Sequence, residues 1–148
     1  MQLKQMITVV GVHTEGEAND VITGGILPPR GATMYERMQN MERDTDWVRK
    51  MLLFDPRGGV TKCVNLITPP LDPTADIGMI VMESDFYVPM SGSNLICTVT
   101  AALETGLLTM HEPETRVRVD TPAGLVDVMP NAATGSAAGS RSATCPAS

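Results

Sequence analysis

Residues 90–106 read MSGSNLICTVTAALETG, a short polar loop entering an apolar stretch that stops at a glycine. Leu95, Ile96, Val99, Ala102 and Leu103 would cover most of the circumference of a helix built from this segment. Such a helix has to be enclosed by other elements, because a surface helix carries only one apolar stripe. Its polar exceptions are Thr98, Thr100 and Glu104, and Gly106 suits a helix C-terminus. The expected structure is therefore a central helix at about residues 94–106 with strands wrapped around it.

The rest of the chain supplies those strands. Upstream, residues 60–68 and 76–82 are strand-like and separated by the breakers Pro69-Pro70 and Asp72-Pro73. Residues 6–12 (MITVVGV) are rich in β-branched side chains. They lead through a polar loop, residues 13–20, to a second strand at 21–26, an N-terminal hairpin. Pro28, Pro29 and Gly31 then break regular structure. Residues 33–43 carry Met34, Met38 and Met41 at helical spacing. Asp44 or Thr45 can cap a second helix at 46–53, with Trp47, Met51 and Leu52 expected against a core. The turn Asp55-Pro56-Arg57-Gly58-Gly59 closes it. Downstream, residues 116–120 and 125–129 flank Thr121-Pro122-Ala123-Gly124 as a β-hairpin.

Residues 131–148 contain no Val, Ile, Leu, Met, Phe, Trp or Tyr. A segment so poor in apolar area cannot offset its ordering entropy, which makes it a disordered tail. A second reading is a shifted reading frame. Moving by one nucleotide can turn Ala133-Thr134-Gly135-Ser136 and Ala143-Thr144-Cys145-Pro146 into Arg-Asn-Gly-Lys and Arg-Asn-Val-Pro, which suit turns beside strands.

Composition narrows the function. The chain has 148 residues, 43% of them hydrophobic, and a net charge of −6, which disfavours nucleic acid or an anionic membrane as a partner. Aromatic residues make up only 3%, too few for base-stacking platforms. No apolar run of membrane-spanning length and no secretory leader pattern occur, so a cytoplasmic location is expected. Cys63, Cys97 and Cys145 include no CxxC pair, and neither a disulfide framework nor a zinc site is indicated. His13 and His111 lie too far apart to form a ligand motif, and no metal is expected.

Chemistry is best placed at the loop entering the helix. Backbone N–H groups of Gly92, Ser93 and Asn94 lack intrahelical partners there, and the positive end of the helix dipole favours an anion. A substrate carboxylate fits, with the Ser93 or Asn94 side chain as cap or further ligand. The plainer alternative is that Ser93 simply caps a structural helix. Cys97, inside the helix, reads as a small core residue. A serine hydrolase is disfavoured, since Ser91 and Ser93 are not set in G-x-S-x-G.

VHTEGEANDVITGG, LLFDPRGG, ADIGMIVMESDFYVPMSGSNLICTVTAALETG and DTPAGLVDV, in that order, resemble the N-terminal half of the proline racemase family over roughly residues 7–129. The family includes proline racemases, 4-hydroxyproline 2-epimerases and trans-3-hydroxy-L-proline dehydratases. The resemblance implies an α+β, diaminopimelate-epimerase-like half-fold for residues 1–130: mixed and antiparallel strands around a central helix, with the substrate held between two such helix ends. It implies no cofactor. The common family pattern enters the helix through Met-Cys-Gly-His-Gly, and this sequence has Ser91 at the cysteine position and Ser93 at the histidine position.

MSGSN together with HTEGE and PRGGV is most similar to the bacterial trans-3-hydroxy-L-proline dehydratases. The resemblance carries the acid/base role onto Ser91 and substrate contact onto Gly92 and Ser93. Asn94 joins them through its amide at the helix end. A hydroxyl is a far weaker acid than a thiol, which favours dehydration to a cyclic imine over two-base racemisation or epimerisation. His13, Glu15 and Glu17 fall in a loop near the implied cleft and receive no catalytic role. Asp55 and Arg57 are read as turn and ion-pair residues. The family's second half, which brings the opposing acid/base group, has no counterpart in these residues. The expectation includes a catalytically silent fragment, whose exposed apolar inter-half surface would favour a homodimer or aggregation.

Overall fold

The computed structural model describes residues 5–14, 16–59, 61–111, 114–130 and 140–144. Its elements run β1 (Thr8–Thr14), β2 (Glu17–Gly24), α1 (Met34–Asp44), α2 (Trp47–Leu53), β3 (Cys63–Thr68), β4 (Ile77–Met82), β5 (Tyr87–Val88), α3 (Gly92–Glu104), β6 (Val117–Thr121), β7 (Gly124–Pro130) and β8 (Ser140–Thr144). One mixed sheet takes the order β1-β2-β3-β4-β6-β7-β8, with β5 also paired on β4. Two neighbouring pairs, β2/β3 and β4/β6, are parallel. A parallel pair needs a long crossover, and the helices fall where those crossovers run: α1 and α2 between β2 and β3, α3 between β4 and β6. One edge of β4 is divided, with Ile77 and Gly78 pairing with β6 and Val81 and Met82 with β5.

Strand alternation splits the core in two. Val64, Leu66, Ile80 and Met82 share one face with Met34, Met38 and Met41 of α1 and with Val48 and Leu53 of α2. Met79 and Val81 point the other way, onto Leu95, Val99, Ala102 and Leu103 of α3 and the hairpin residues Val117, Val119, Val126 and Val128. The sheet's centre is thus covered on both sides, as its near-continuous apolar strands require. α3 buries eight of its thirteen residues, which agrees with the enclosed helix expected from its all-round apolar pattern. This is the expected α+β half-fold with strands around a central helix.

Several boundaries differ from expectation. α3 starts two residues early, at Gly92, because Ser91 rather than a later residue turns the chain into the helix. Gly106, at φ 79°, takes the left-handed conformation that ends it. The expected loop at 13–20 is mostly strand, since the polar residues of β1 and β2 pair with one another from Gly11↔Asp20 to Thr14↔Glu17. In α2 the buried residues are Val48, Arg49 and Leu53; Leu52 is half-buried against the same core, as expected, while Met51 is only half-buried and Trp47 is 41% exposed. Asp46 decides that rotation: it accepts hydrogen bonds from Arg49 Nε at 2.8 Å and Tyr87 Oη at 2.9 Å. Arg49 is thereby drawn inward, over the Phe54 ring and against the Ser84 carbonyl.

At the C-terminal side, β8 pairs antiparallel with β7 within the segment whose composition suggests disorder or a shifted frame. An edge ladder is made of backbone bonds and does not require apolar side chains. Residues 131–139 and 145–148, on which most of both readings fall, lie outside the described residues.

The β6–β7 hairpin carries its own charge clamp. Arg118 first, then Arg116, hold the Asp127 carboxyl down at about 2, below the ordinary ~3.9 of an aspartate. A depressed carboxyl stabilises the fold above the unfolded value and loses that contribution as pH falls towards its folded value. Asp127→Asn is expected to lower the thermal midpoint at pH 7 and to flatten its fall between about pH 4 and pH 2, measured by circular dichroism melts across that range.

Candidate active site

Ser91 occupies the N-cap of α3 with extended backbone, φ −145° and ψ 130°, and its carbonyl accepts the first helical bond from Leu95 N at 2.9 Å. A serine at this position ordinarily folds its hydroxyl back onto the second or third amide of the helix. Ser91 does not: its side chain makes no cap bond. Among the described residues, the N–H groups of Gly92, Ser93 and Asn94 therefore have no acceptor. They form an open, positively polarised helix end. Gly92 is exposed and Ser91 and Ser93 are half-buried, so this end is reachable from solvent. Ser93 lies inside the first turn and is not the cap residue, contrary to the plainer alternative for it.

Asn94 differs from its neighbours. It is 1% exposed, and its Nδ2 donates to Ser91 Oγ at 2.9 Å. Its side chain is buried and engaged with Ser91, so that its backbone N–H is the group it can offer at the tip. Ser91 Oγ and Ser93 Oγ stand 3.4 Å apart, beyond the usual range for a hydroxyl–hydroxyl hydrogen bond.

Beneath this end lies a buried polar layer that the chain's local pattern does not reveal. Asn19 on β2 is in register with Cys63 on β3, and Asn65 Nδ2 reaches Asn19 Oδ1 at 3.4 Å. Thr14 Oγ1 and Cys97 Sγ approach to 3.0 Å. Asn19, Asn65 and Cys97 are all at most 1% exposed. Burial pushes the Cys63 thiol up, and the Asn94 side chain acts against that push. The Cys97 thiol is also pushed up by burial, with Thr14 and Asn19 opposing. In both, burial disfavours the thiolate, the form that attacks. Period-two reading of NDV in β2 and CVN in β3 would have put Asn19, Cys63 and Asn65 on one face. Their meeting under α3 additionally requires knowing that β2 and β3 are parallel neighbours.

Other residues singled out in the sequence stand apart from this cluster. His13 is exposed on β1, Glu17 is exposed at the start of β2, and Glu15 lies outside the described residues. Glu83 and Glu17 both add to the upward push on the Cys63 thiol. Asp55 and Arg57 are exposed in a turn closed by Gly58 N to Phe54 O at 2.9 Å. The expected ion pair is absent for both among the described residues. No described helix is long and apolar enough to cross a membrane.

The fold and this helix end can be set beside those of known proteins. The proline racemase family profile matches residues 9–146. The crystal structure of a hydroxyproline epimerase from Agrobacterium vitis, with bound trans-4-hydroxy-L-proline, is 37% identical with a TM-score of 0.85. It covers 92% of this chain and 40% of its own. A probable proline racemase from Agrobacterium radiobacter K84, with bound carbonate, is also 37% identical, with a TM-score of 0.84, covering 89% of this chain and 39% of its own. Methylitaconate-delta-isomerase, at 19% identity and a TM-score of 0.63 over 90% of this chain, shares the fold. The chain belongs to the proline racemase family. It spans about two-fifths of the length of the two Agrobacterium proteins.

The raised thiols give a direct check. In a Cys145→Ser chain, Cys63 and Cys97 are expected to react with iodoacetamide at pH 7.5 at least ~10-fold more slowly than in the denatured chain, because burial disfavours the thiolate and limits access. Mass spectrometry of timed samples reads the rate at each site.

Proposed function

We propose that this chain forms one wall of a cofactor-independent enzyme site that breaks the α-C–H bond of a proline derivative, with trans-3-hydroxy-L-proline dehydration to Δ1-pyrroline-2-carboxylate as the reaction. The observation that carries the proposal is the uncapped end of α3. Three amides without an acceptor among the described residues stand beside a half-buried serine hydroxyl that is not spent on capping them.

In this reading the amides of Gly92, Ser93 and Asn94 hold the substrate carboxylate. Loss of the α-proton moves negative charge onto that carboxylate as it becomes enediolate-like. Donors already aimed at it stabilise the charged species more than the ground state. Ser91 takes part in proton transfer. An alcohol is a poor base, and delivering a proton to a departing 3-hydroxyl is the less demanding task for it. Expulsion of that hydroxyl as water leaves an enamine, which tautomerises to the cyclic imine. Ser93 lines the same end of the helix. The opposing acid/base group belongs to a second half with no counterpart in residues 1–130.

Hydroxyproline epimerisation is the second reading, favoured by the likeness to the Agrobacterium vitis epimerase and its bound trans-4-hydroxy-L-proline. The two differ in product. Incubation with trans-3-hydroxy-L-proline and, separately, trans-4-hydroxy-L-proline in heavy water, followed by NMR, is expected to show imine formation from the first and slower or no solvent-deuterium incorporation at the α-carbon of the second. Ser91→Ala is expected to reduce turnover by ~100-fold or more. A chain silent in this assay is expected still to bind pyrrole-2-carboxylate, with the amide resonances of Gly92 and Ser93 shifting most on titration. Absence of both turnover and those shifts would overturn the assignment of the helix end.

A further inference from the structure

Ser91-Gly92-Ser93-Asn94 has the spacing of a capping box, in which the N-cap hydroxyl binds the third amide of the helix and the side chain at that third position reaches back to the N-cap N–H. The bonds found here are different. Asn94, at the third position, gives its Nδ2 to the Ser91 hydroxyl oxygen at 2.9 Å, and that hydroxyl caps nothing. Resting on the reading of the α3 end as a carboxylate site, we infer that Asn94 is a positioning residue that diverts the Ser91 hydroxyl from capping the helix, so that the hydroxyl and the free amides are available to the substrate together.

The chemistry of the two groups supports this. An amide nitrogen donates and does not accept, so Ser91 Oγ is the acceptor and its own proton must point elsewhere. Ser93 Oγ, at 3.4 Å, is too distant to engage it well. The proton is left for the cleft, and negative charge developing on Oγ would face an N–H donor. Left to itself, a serine in this position would place its oxygen on the amides of Ser93 or residue 94, the atoms a carboxylate needs. Asn94 is held for this task by its surroundings. It is 1% exposed in the layer formed with Cys63, its side chain acts on that thiol, and its backbone carbonyl accepts from Thr98 Oγ1 at 2.8 Å. Its Oδ1 has no partner among the described residues, a cost that packing alone would remove by placing an apolar residue there.

The test uses the ¹⁵N-labelled full chain with Asn94→Ala, Asn94→Asp and Asn94→Ala/Ser91→Ala. Two readouts are taken: hydrogen exchange of the backbone amides at 93 and 94, and affinity for pyrrole-2-carboxylate. In Asn94→Ala the freed hydroxyl is expected to cap the helix. Those amides become protected and affinity falls about fivefold, the equivalent of one cap bond. In the double variant there is no hydroxyl to cap, so protection disappears and affinity recovers. A structural role for Asn94 would leave the double variant as weak as the single one.

In Asn94→Asp the carboxylate can only accept, so the bond reverses: the Ser91 hydroxyl donates its proton to the carboxylate and its oxygen is released to the amides of 93 and 94, which are expected to become protected as in Asn94→Ala. This variant also secures the test if the alanine variant does not fold, because amides as exposed to exchange as in the parent would contradict the inference. Unprotected amides in a folded Asn94→Ala, or a double variant that fails to recover, would overturn it. Failure of the parent chain to bind pyrrole-2-carboxylate would count against the carboxylate site itself, while the exchange comparison would still decide the role of Asn94.

Discussion

A helix whose first amides are paired with no group of the fold offers them to solvent or to a ligand, and α3 has such an end. Its N-cap residue is a serine, among the best capping residues, yet the hydroxyl is held by Asn94. Around that end the protein spends buried amides and thiols where a core would ordinarily place aliphatic carbons. Asn19, Asn65 and Asn94 are each at most 1% exposed and each leaves a side-chain atom without a partner among the described residues. Such groups are costly in a low-dielectric interior, and a fold selected for stability alone would replace them. Their concentration under one helix terminus, with apolar packing elsewhere on α3, sets the two ends of the helix apart.

The sheet explains how the two ends are kept apart. β3 and β4 carry opposite cores on their two faces, one against α1 and α2, the other against α3. On the α3 face, Met79 and Val81 of β4 pack against the apolar body of the helix, while Cys63 and Asn65 of β3 and Asn19 of β2 sit towards its N-terminus. The same pairing scheme thus places a rigid apolar support next to a polar floor. Sites carried on strands and helices in this way hold their geometry more precisely than sites on loops. α2 shows a related device on the other face: its N-cap Asp46 also leaves the helix uncapped, binding Arg49 and Tyr87 instead.

Much of the fold was legible because its strongest patterns are local. The Met34, Met38 and Met41 spacing specifies α1, with Thr33 accepting from Glu36 N at 3.1 Å as its cap. The β-branched runs specify β1, β3, β4 and the β6–β7 hairpin, and the all-round apolar segment specifies an enclosed α3. Where local pattern misled, a contact with a distant residue was responsible. Trp47 is exposed because Asp46 binds Tyr87, 41 residues away, and turns α2 with it. β5 is two residues long and exists through its pairing to the end of β4. The polar segment after His13 is strand because β1 and β2 pair through it.

Residue chemistry along the chain determines where a helix end with unpaired first amides can arise, since an apolar helix entered through the polar loop MSGSN begins there. It also determines that the helix must be enclosed. Tertiary structure alone decides strand order, the parallel β2/β3 and β4/β6 pairs, the polar layer made by residues from four separate elements, and the direction in which Ser91 and Asn94 point. The reason is physical: amide ends and amphipathic periods arise from neighbours within one helical turn, whereas a side chain's rotamer at a buried site answers to groups brought together from dozens of residues away.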